Sequence, residues 1–99
     1  MKCLQCHRTF AAEARIASMS GSIMGDEVTD AYFLCPACDV YTVATWWDDF
    51  TGLETESSSG PLSRDVGDAR VAIIRGCEHP WDKTCRCPAH RSYFNDALD

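Results

Sequence analysis

The seven cysteines of this chain fall into two groups with the spacing of metal ligands, and this pattern constrains the fold more than any other feature. The first group is built from two Cys-x2-Cys pairs, and the second places three cysteines close to a histidine. The candidate ligands are Cys3, Cys6, Cys35 and Cys38 in the first group, and Cys77, Cys85, Cys87 and His90 in the second. Four thiolates complete one tetrahedral site, and three thiolates with one imidazole complete another, which is the closed coordination typical of structural zinc. The sequence therefore predicts two bound Zn²⁺ ions.

The size of the chain agrees with this prediction, because 99 residues form one domain that buries a limited fraction of its surface. Structural zinc would compensate for the small hydrophobic core, since its binding contributes roughly 10–16 kcal/mol of folding free energy per site in zinc-finger peptides. Disulfides are the competing form of cross-link. The odd number of cysteines, their tight spacing and the lack of an N-terminal apolar signal segment favour a reducing cytoplasm instead. No run approaches the roughly 20 apolar residues of a membrane span, so we expect no membrane partner.

The charge of the chain disfavours nucleic acid as a partner. The formal net charge is -6, from 15 acidic and 9 basic residues. Seven thiolates and two Zn²⁺ ions would take it to about -9, because coordinating thiols are deprotonated. Two loose groups of basic residues are present, Arg64, Arg70 and Arg75, and Lys83, Arg86 and Arg91. We interpret both groups as solvated surface charge, so binding to phosphate backbones is the less favoured hypothesis.

The first half of the chain has the pattern of a small antiparallel sheet. Residues alternate in a strand-like way over 15–19, 28–34 and 41–47, with Gly21 and Gly25 as interruptions. These segments predict a three-stranded meander. The two Cys-x2-Cys pairs would form facing turns that each offer two sulfurs, and Pro36 presets the dihedral of the second turn.

With these paired turns, residues 2–50 resemble the zinc-ribbon family, in which two such turns at one end of a sheet hold a single zinc ion. The resemblance implies a metal rather than a particular function, since ribbons occur in proteins of many kinds. Zinc ribbons often carry glycine after the second cysteine of each pair, where the backbone has a positive φ. Here His7 and Asp39 occupy those positions. Both residue types tolerate that conformation better than most, so the turns remain compatible with the family.

The spacing of the first group is also similar to that of rubredoxins, in which four cysteines hold one iron that transfers electrons. There are 28 residues between Cys6 and Cys35. Tetrahedral sulfur sites suit both zinc and iron, so the donor set by itself is compatible with either metal at the first site. The chain lacks the proline- and glycine-rich aromatic stretch of rubredoxins, which favours zinc.

The rest of the chain divides into a polar stretch and a helical segment. Residues 51–62 are small and polar, and we predict a loop or linker there. Apolar residues at helical intervals then predict a helix over 64–75 that ends at Gly76, with a strand over 70–74 as the alternative. Pro88 at the first position of a second helix would leave Cys87 as its N-cap. The predicted organisation is thus 1–50, 51–62 and 63–99, with the first and last segments packed as one domain.

Together these expectations define an α+β fold, a small zinc-ribbon-like antiparallel sheet followed by two helices around a second zinc site. Two histidines are candidates for the nitrogen ligand of that site. His90 lies three residues after Cys87 on a helix, which favours it, and His79 is the alternative because it lies two residues after Cys77. His7 is adjacent to Cys6 and is a further, less favoured candidate for the first site.

The predicted function is binding rather than catalysis. Both sites are filled by protein ligands, which leaves no coordination position for water or substrate, as catalytic zinc requires. The sequence also lacks the motifs of zinc deaminases and metalloproteases and a phosphate-binding glycine loop. We therefore expect a protein-interaction or structural adaptor module, with a nucleic-acid-binding zinc ribbon or iron electron transfer as alternatives.

The aromatic stretch over 41–50 is the clearest candidate for a contact surface. Trp46 and Trp47 are adjacent on a predicted strand, so they must point to opposite faces of the sheet. One of them would pack on the C-terminal segment or anchor a partner, because aromatic residues dominate interface hot spots. An edge strand of the sheet could also pair in a homodimer.

Overall fold

A computed structural model of the chain describes residues 1–49 and 51–98. It has an α+β fold made of a four-stranded antiparallel sheet and two helices, as the sequence predicts. A 3-10 turn over Ala12–Ala14 precedes the sheet. The strands are β1 (Arg15–Ile23), β2 (Asp26–Cys35), β3 (Val40–Asp48) and β4 (Glu54–Ser63), and the helices are α1 (Arg64–Arg75) and α2 (Pro88–Tyr93).

The sheet is a meander in which each strand pairs with the next along the chain, in the order β1-β2-β3-β4. The three predicted strands fall within β1, β2 and β3. Met24 and Gly25 connect β1 to β2 with φ values of 52° and 85°, the left-handed conformation that two-residue hairpin turns require. Gly21 lies within β1 and does not interrupt it.

The prediction of a loop or linker over 51–62 is wrong, because most of this stretch forms β4. The strand pairs with β3 from Glu54 opposite Asp48 to Ser63 opposite Val40. Nine of its ten residues are exposed, and only Leu62 is partly buried. The strand is therefore held mainly by backbone pairing with β3, and Leu62 is the residue of β4 that packs against the core. The stretch consequently lacks the apolar alternation by which a strand is recognised in a sequence. Phe50, which ends the predicted first segment and the aromatic stretch, lies outside the described residues.

The two faces of the sheet carry separate apolar clusters. The face covered by the helices contains the larger cluster, made of Met19, Tyr32, Tyr41, Val43, Val71, Ile74 and Cys77. The opposite face carries Ala31, Phe33 and Ala44, which the N-terminal segment covers through Phe10 and Ala14. The helical segment and the sheet thus share one hydrophobic core.

Helix α1 forms where the sequence predicts a helix, and the alternative strand over 70–74 is excluded. Its N-cap is Ser63, whose Oγ accepts a hydrogen bond from the Val66 amide at 3.3 Å. Val71 and Ile74 are buried against the sheet. Gly76 ends the helix, and its amide donates to the carbonyls of Ala72 and Ile73.

Helix α2 begins at Pro88 with Cys87 as its N-cap, which is also as predicted. A chain of hydroxyl groups connects it to the sheet. The Tyr32 hydroxyl donates to Tyr93 at 2.6 Å, and the Tyr93 hydroxyl donates to a carboxylate oxygen of Asp30 at 2.6 Å. Over the described ranges, neither helix has the length or apolar character needed to span a lipid bilayer.

Candidate metal centres

The first cluster lies at the end of the sheet where β2 turns into β3. Cys3 and Cys6 come from a turn at the N-terminus, Cys35 is the last residue of β2, and Cys38 lies in the β2–β3 turn. All four sulfurs lie within 4.8 Å of one another. The Leu4 amide donates to the Thr42 hydroxyl of β3 at 3.2 Å, which fixes the N-terminal turn against the sheet. Two cysteine pairs that are at least 29 positions apart in sequence are thereby brought into one site.

The two turns of this cluster share one backbone geometry. His7 and Asp39, which follow the second cysteine of each pair, have φ values of 63° and 56°. The His7 amide donates to the Cys3 carbonyl at 2.9 Å, and the Asp39 amide donates to the Cys35 carbonyl at 2.8 Å. Histidine and aspartate therefore adopt the left-handed conformation expected at these positions. Arg64 of α1 holds the Asp39 carboxylate at 2.6 Å.

The sulfur geometry of both clusters fits a tetrahedral metal. Zinc–sulfur bonds of about 2.3 Å at tetrahedral angles place two sulfurs about 3.8 Å apart. The Cys6 and Cys35 sulfurs are 3.8 Å apart, and so are the Cys77 and Cys85 sulfurs. A disulfide would need about 2.05 Å between sulfurs, and all seven cysteines are free thiols. The donor set and its spacing are therefore those of a metal centre.

The thiol pKa values of the first cluster are also compatible with a bound cation. Burial raises the pKa of Cys3, but hydrogen bonds from the amides of Cys6 and Gln5 outweigh it and lower the pKa to about 7. Hydrogen bonding to Cys6, burial and the neighbouring Cys35 raise the pKa of Cys38 to about 12. The first thiol of the set ionises readily and the last does not. A divalent cation would balance the accumulated charge and allow all four thiolates to form.

The second cluster joins the end of α1 to the start of α2. Cys77 follows α1 directly, Cys85 and Cys87 lie in the connecting loop, and His90 lies in the first turn of α2. His90 Nδ1 is 3.0 Å from the Cys77 sulfur and 3.7 Å from the Cys87 sulfur. The four ligand atoms lie within 4.8 Å of one another.

Backbone amides also shift the pKa values of the thiols in this cluster. The His90 amide donates to the Cys87 sulfur at 3.4 Å, and this bond, followed by the His90 side chain, lowers the pKa of Cys87 to about 6. The pKa of Cys77 is raised to about 12, first by burial and then by Cys87 and Cys85, although the His79 amide opposes the shift. As in the first cluster, one thiol has a lowered pKa and another a raised pKa, and a divalent cation would stabilise the thiolate form of the second.

His90 contacts the sheet through its other ring nitrogen. Its Nε2 lies 2.9 Å from the Ser20 carbonyl oxygen of β1. A carbonyl only accepts, so Nε2 carries a proton, and Nδ1 is the ring nitrogen that faces the sulfurs. A metal ligand whose second nitrogen donates to a carbonyl is held in the correct tautomer and orientation. The Ser20 amide in turn donates to the Pro80 carbonyl at 2.8 Å, so both backbone groups of Ser20 contact the second cluster or its loop.

All eight predicted ligands are thus brought into the two predicted sets. His79, the alternative ligand, is exposed and lies against Trp81, with 5.6 Å between the ring centroids. His7 is also exposed, and within the described residues neither His7 nor His79 belongs to a set of potential ligands. Sequence reasoning missed the contribution of Ser20, and no local signal could have revealed it, because Ser20 and His90 are 70 positions apart.

Comparison of the chain with protein-family models, with curated proteins and with solved structures gave no match. The functional argument therefore depends on the geometry of the chain itself. That geometry is compatible with a small zinc-binding protein.

Proposed function

We propose that this protein is a small cytoplasmic zinc protein whose two sites are structural, and that it acts as a protein-interaction or structural adaptor module. The observation that carries the proposal is the composition of the two clusters. Each consists of four protein ligands within 4.8 Å of one another. A tetrahedral ion with four protein ligands has no position for substrate, which is the feature that distinguishes structural from catalytic zinc.

The positions of the clusters support a structural role. The first joins the N-terminal turn to the β2–β3 turn, and the second joins α1 to α2 and contacts β1 through His90. Each metal would therefore cross-link segments that are distant in sequence. The ribbon-like N-terminal sheet belongs to the same proposal, supported by the two left-handed turns at His7 and Asp39.

The surface supports the adaptor part of the proposal. Trp46 is 40% exposed and Trp81 is 68% exposed, so two indoles are available to a partner. Trp47 lies on the opposite face from Trp46, and its Nε1 donates to Asp26 at 2.8 Å. Exposed tryptophans are typical of protein interfaces, whereas a net charge of -6 disfavours nucleic acid.

Elemental mass spectrometry together with a visible absorption spectrum tests the metal. Protein purified without added metal should carry two equivalents of zinc and be colourless. Cys35→Ser should lose one equivalent and unfold the N-terminal segment, while Cys87→Ser should lose the other equivalent. Iron with visible charge-transfer bands would replace the adaptor proposal with electron transfer at the first cluster.

A further inference from the structure

Strand register places like charges side by side on one face of the sheet. Glu27 of β2 is opposite Asp48 of β3, and Asp48 is opposite Glu54 of β4. In the next row, Thr29 is opposite Trp46, and Trp46 is opposite Glu56. Like charges that are directly opposite on neighbouring strands destabilise a sheet. In this row of three carboxylates Lys83 already pairs with Glu27, so the repulsion between Asp48 and Glu54 is the cost that a positively charged partner would relieve.

These residues lie on the face opposite the helices. Side chains alternate along a strand, so Glu27 and Thr29 share a face with Ala31 and Phe33. The N-terminal segment covers the half of this face near the first cluster, where Phe10 stacks on Phe33 with 5.4 Å between ring centroids. The other half carries the carboxylates and the exposed Trp46.

A groove extends this half of the face past β1. It has a volume of about 540 Å³ and is lined by Ser20, Thr29 and the exposed Trp81, among others. The Ser20 and Thr29 hydroxyls are 2.8 Å apart and form its polar floor. Lys83 also lines the groove, and its ammonium group is paired with Glu27. Thr29 is opposite Trp46 in the sheet and also lines the groove that contains Trp81. The groove and the surface around Trp46 are therefore adjacent.

The chemistry of this surface selects a basic chain rather than a metal ion. Within residues 1–49 and 51–98, the two cysteine-containing sets are the groups of potential ligands that converge on one point, and the carboxylate row is not among them. Indole rings attract arginine and lysine side chains through cation–π contacts, and carboxylates pair with the same groups. A second copy of this chain, with the same charge of -6, would be repelled.

We propose that this half of the sheet, here called the acidic face (Glu27, Asp48, Glu54, Glu56, Trp46 and the adjoining Trp81), docks an extended basic segment of a protein partner. Arginine or lysine side chains at alternate positions, about 7 Å apart along such a segment, would meet the carboxylates and Trp46. This inference depends on the proposed adaptor function and specifies that the partner presents a basic, extended segment.

Fluorescence anisotropy with two labelled dodecapeptides tests the acidic face. One peptide alternates arginine and threonine, and the other alternates glutamate and threonine. The zinc content of the same protein sample is measured in parallel. The arginine peptide should bind at least about tenfold more tightly than the glutamate peptide, as complementary charge predicts.

Two variants with the same change in charge distinguish binding at the acidic face from non-specific attraction of the peptide to the negatively charged protein. Glu56→Lys, beside Trp46, should weaken binding of the arginine peptide about tenfold, whereas Asp65→Lys on α1 should weaken it less than about twofold. Trp46→Ala should also weaken binding, and circular dichroism checks that each variant is folded.

Three results would overturn the inference: no binding of the arginine peptide, equal losses in Glu56→Lys and Asp65→Lys, or tighter binding of a single-stranded oligonucleotide than of the arginine peptide. Any of these in a sample with two zinc equivalents rejects the acidic face alone. A sample without zinc rejects the proposed function itself.

Discussion

His90 engages the second cluster with one ring nitrogen and the edge of the sheet with the other. The side chain is fully buried, and its hydrogen bond to the Ser20 carbonyl leaves Nδ1 facing two sulfurs. His79 is near the same cluster in sequence, but its side chain is exposed beside Trp81, and only its amide contacts the Cys77 sulfur, at 3.3 Å. The two histidines thus make a matched pair for mutation.

His90→Ala should reduce bound zinc from two equivalents to one, because the second site loses a ligand that no neighbouring side chain replaces in the described structure. His79→Ala should keep both equivalents. Elemental analysis of the purified variants measures the difference. Loss of zinc from His79→Ala, with His90→Ala unaffected, would reverse the ligand assignment.

Among the secondary-structure elements, α1 depends on one close contact with the sheet. A Cβ built on Gly67 would lie 1.9 Å from Cδ2 of Tyr41, so the glycine allows the helix to approach the Tyr41 ring. The Tyr41 hydroxyl donates to Asp68 at 2.6 Å, and Arg64 also contacts Asp68. The glycine that weakens the helical pattern in the sequence is therefore the residue that docks the helix.

Gly67→Ala should lower the free energy of unfolding by about 1–3 kcal/mol, because overpacking outweighs the gain of about 1 kcal/mol in helix propensity. Ala69→Gly, at an exposed position of the same helix, should cost about 1 kcal/mol through propensity alone. Chemical denaturation of both zinc-loaded variants measures these changes. A stabilised Gly67→Ala variant would show that α1 does not dock as closely as described.

At the scale of the whole molecule, the second cluster also protects an edge of the sheet. β1 is an edge strand, and the loop before Cys85 covers it where the Ser20 amide donates to the Pro80 carbonyl. Structural zinc contributes roughly 10–16 kcal/mol per site, which is comparable to the roughly 5–15 kcal/mol of stability of a typical domain. Loss of the metal should therefore release this cover from β1.

Acid should remove zinc and expose Ser20 together. The pKa of Cys87, about 6, lies below the ordinary thiol value of 9.0, so the stabilisation from its thiolate is fully present above pH 9, declines as the pH falls below 9 and is lost once the pH passes 6. Zinc release, followed with a chromophoric indicator, should be smallest at pH 9 and should rise most as the pH falls through 6. Hydrogen exchange at the Ser20 amide should accelerate with it. An amide that stays protected after zinc release would contradict the coupling.

Local sequence determined much of this protein. Cysteine spacing identified both sets of potential ligands, alternation located β1 to β3, and the positions of Pro88 and Gly76 marked a helix start and a helix end. These features depend on residues within a few positions of one another, where backbone geometry and side-chain spacing are directly related.

Tertiary structure decided the rest. It made a strand of the polar stretch at β4, brought His90 rather than His79 into the cluster, and aligned Glu27, Asp48 and Glu54 in one row. Each of these results depends on which distant segments become neighbours. The register of paired strands and the assembly of a four-ligand site both depend on contacts between residues far apart in sequence. Their energies therefore determine which segments become neighbours only when the whole chain folds.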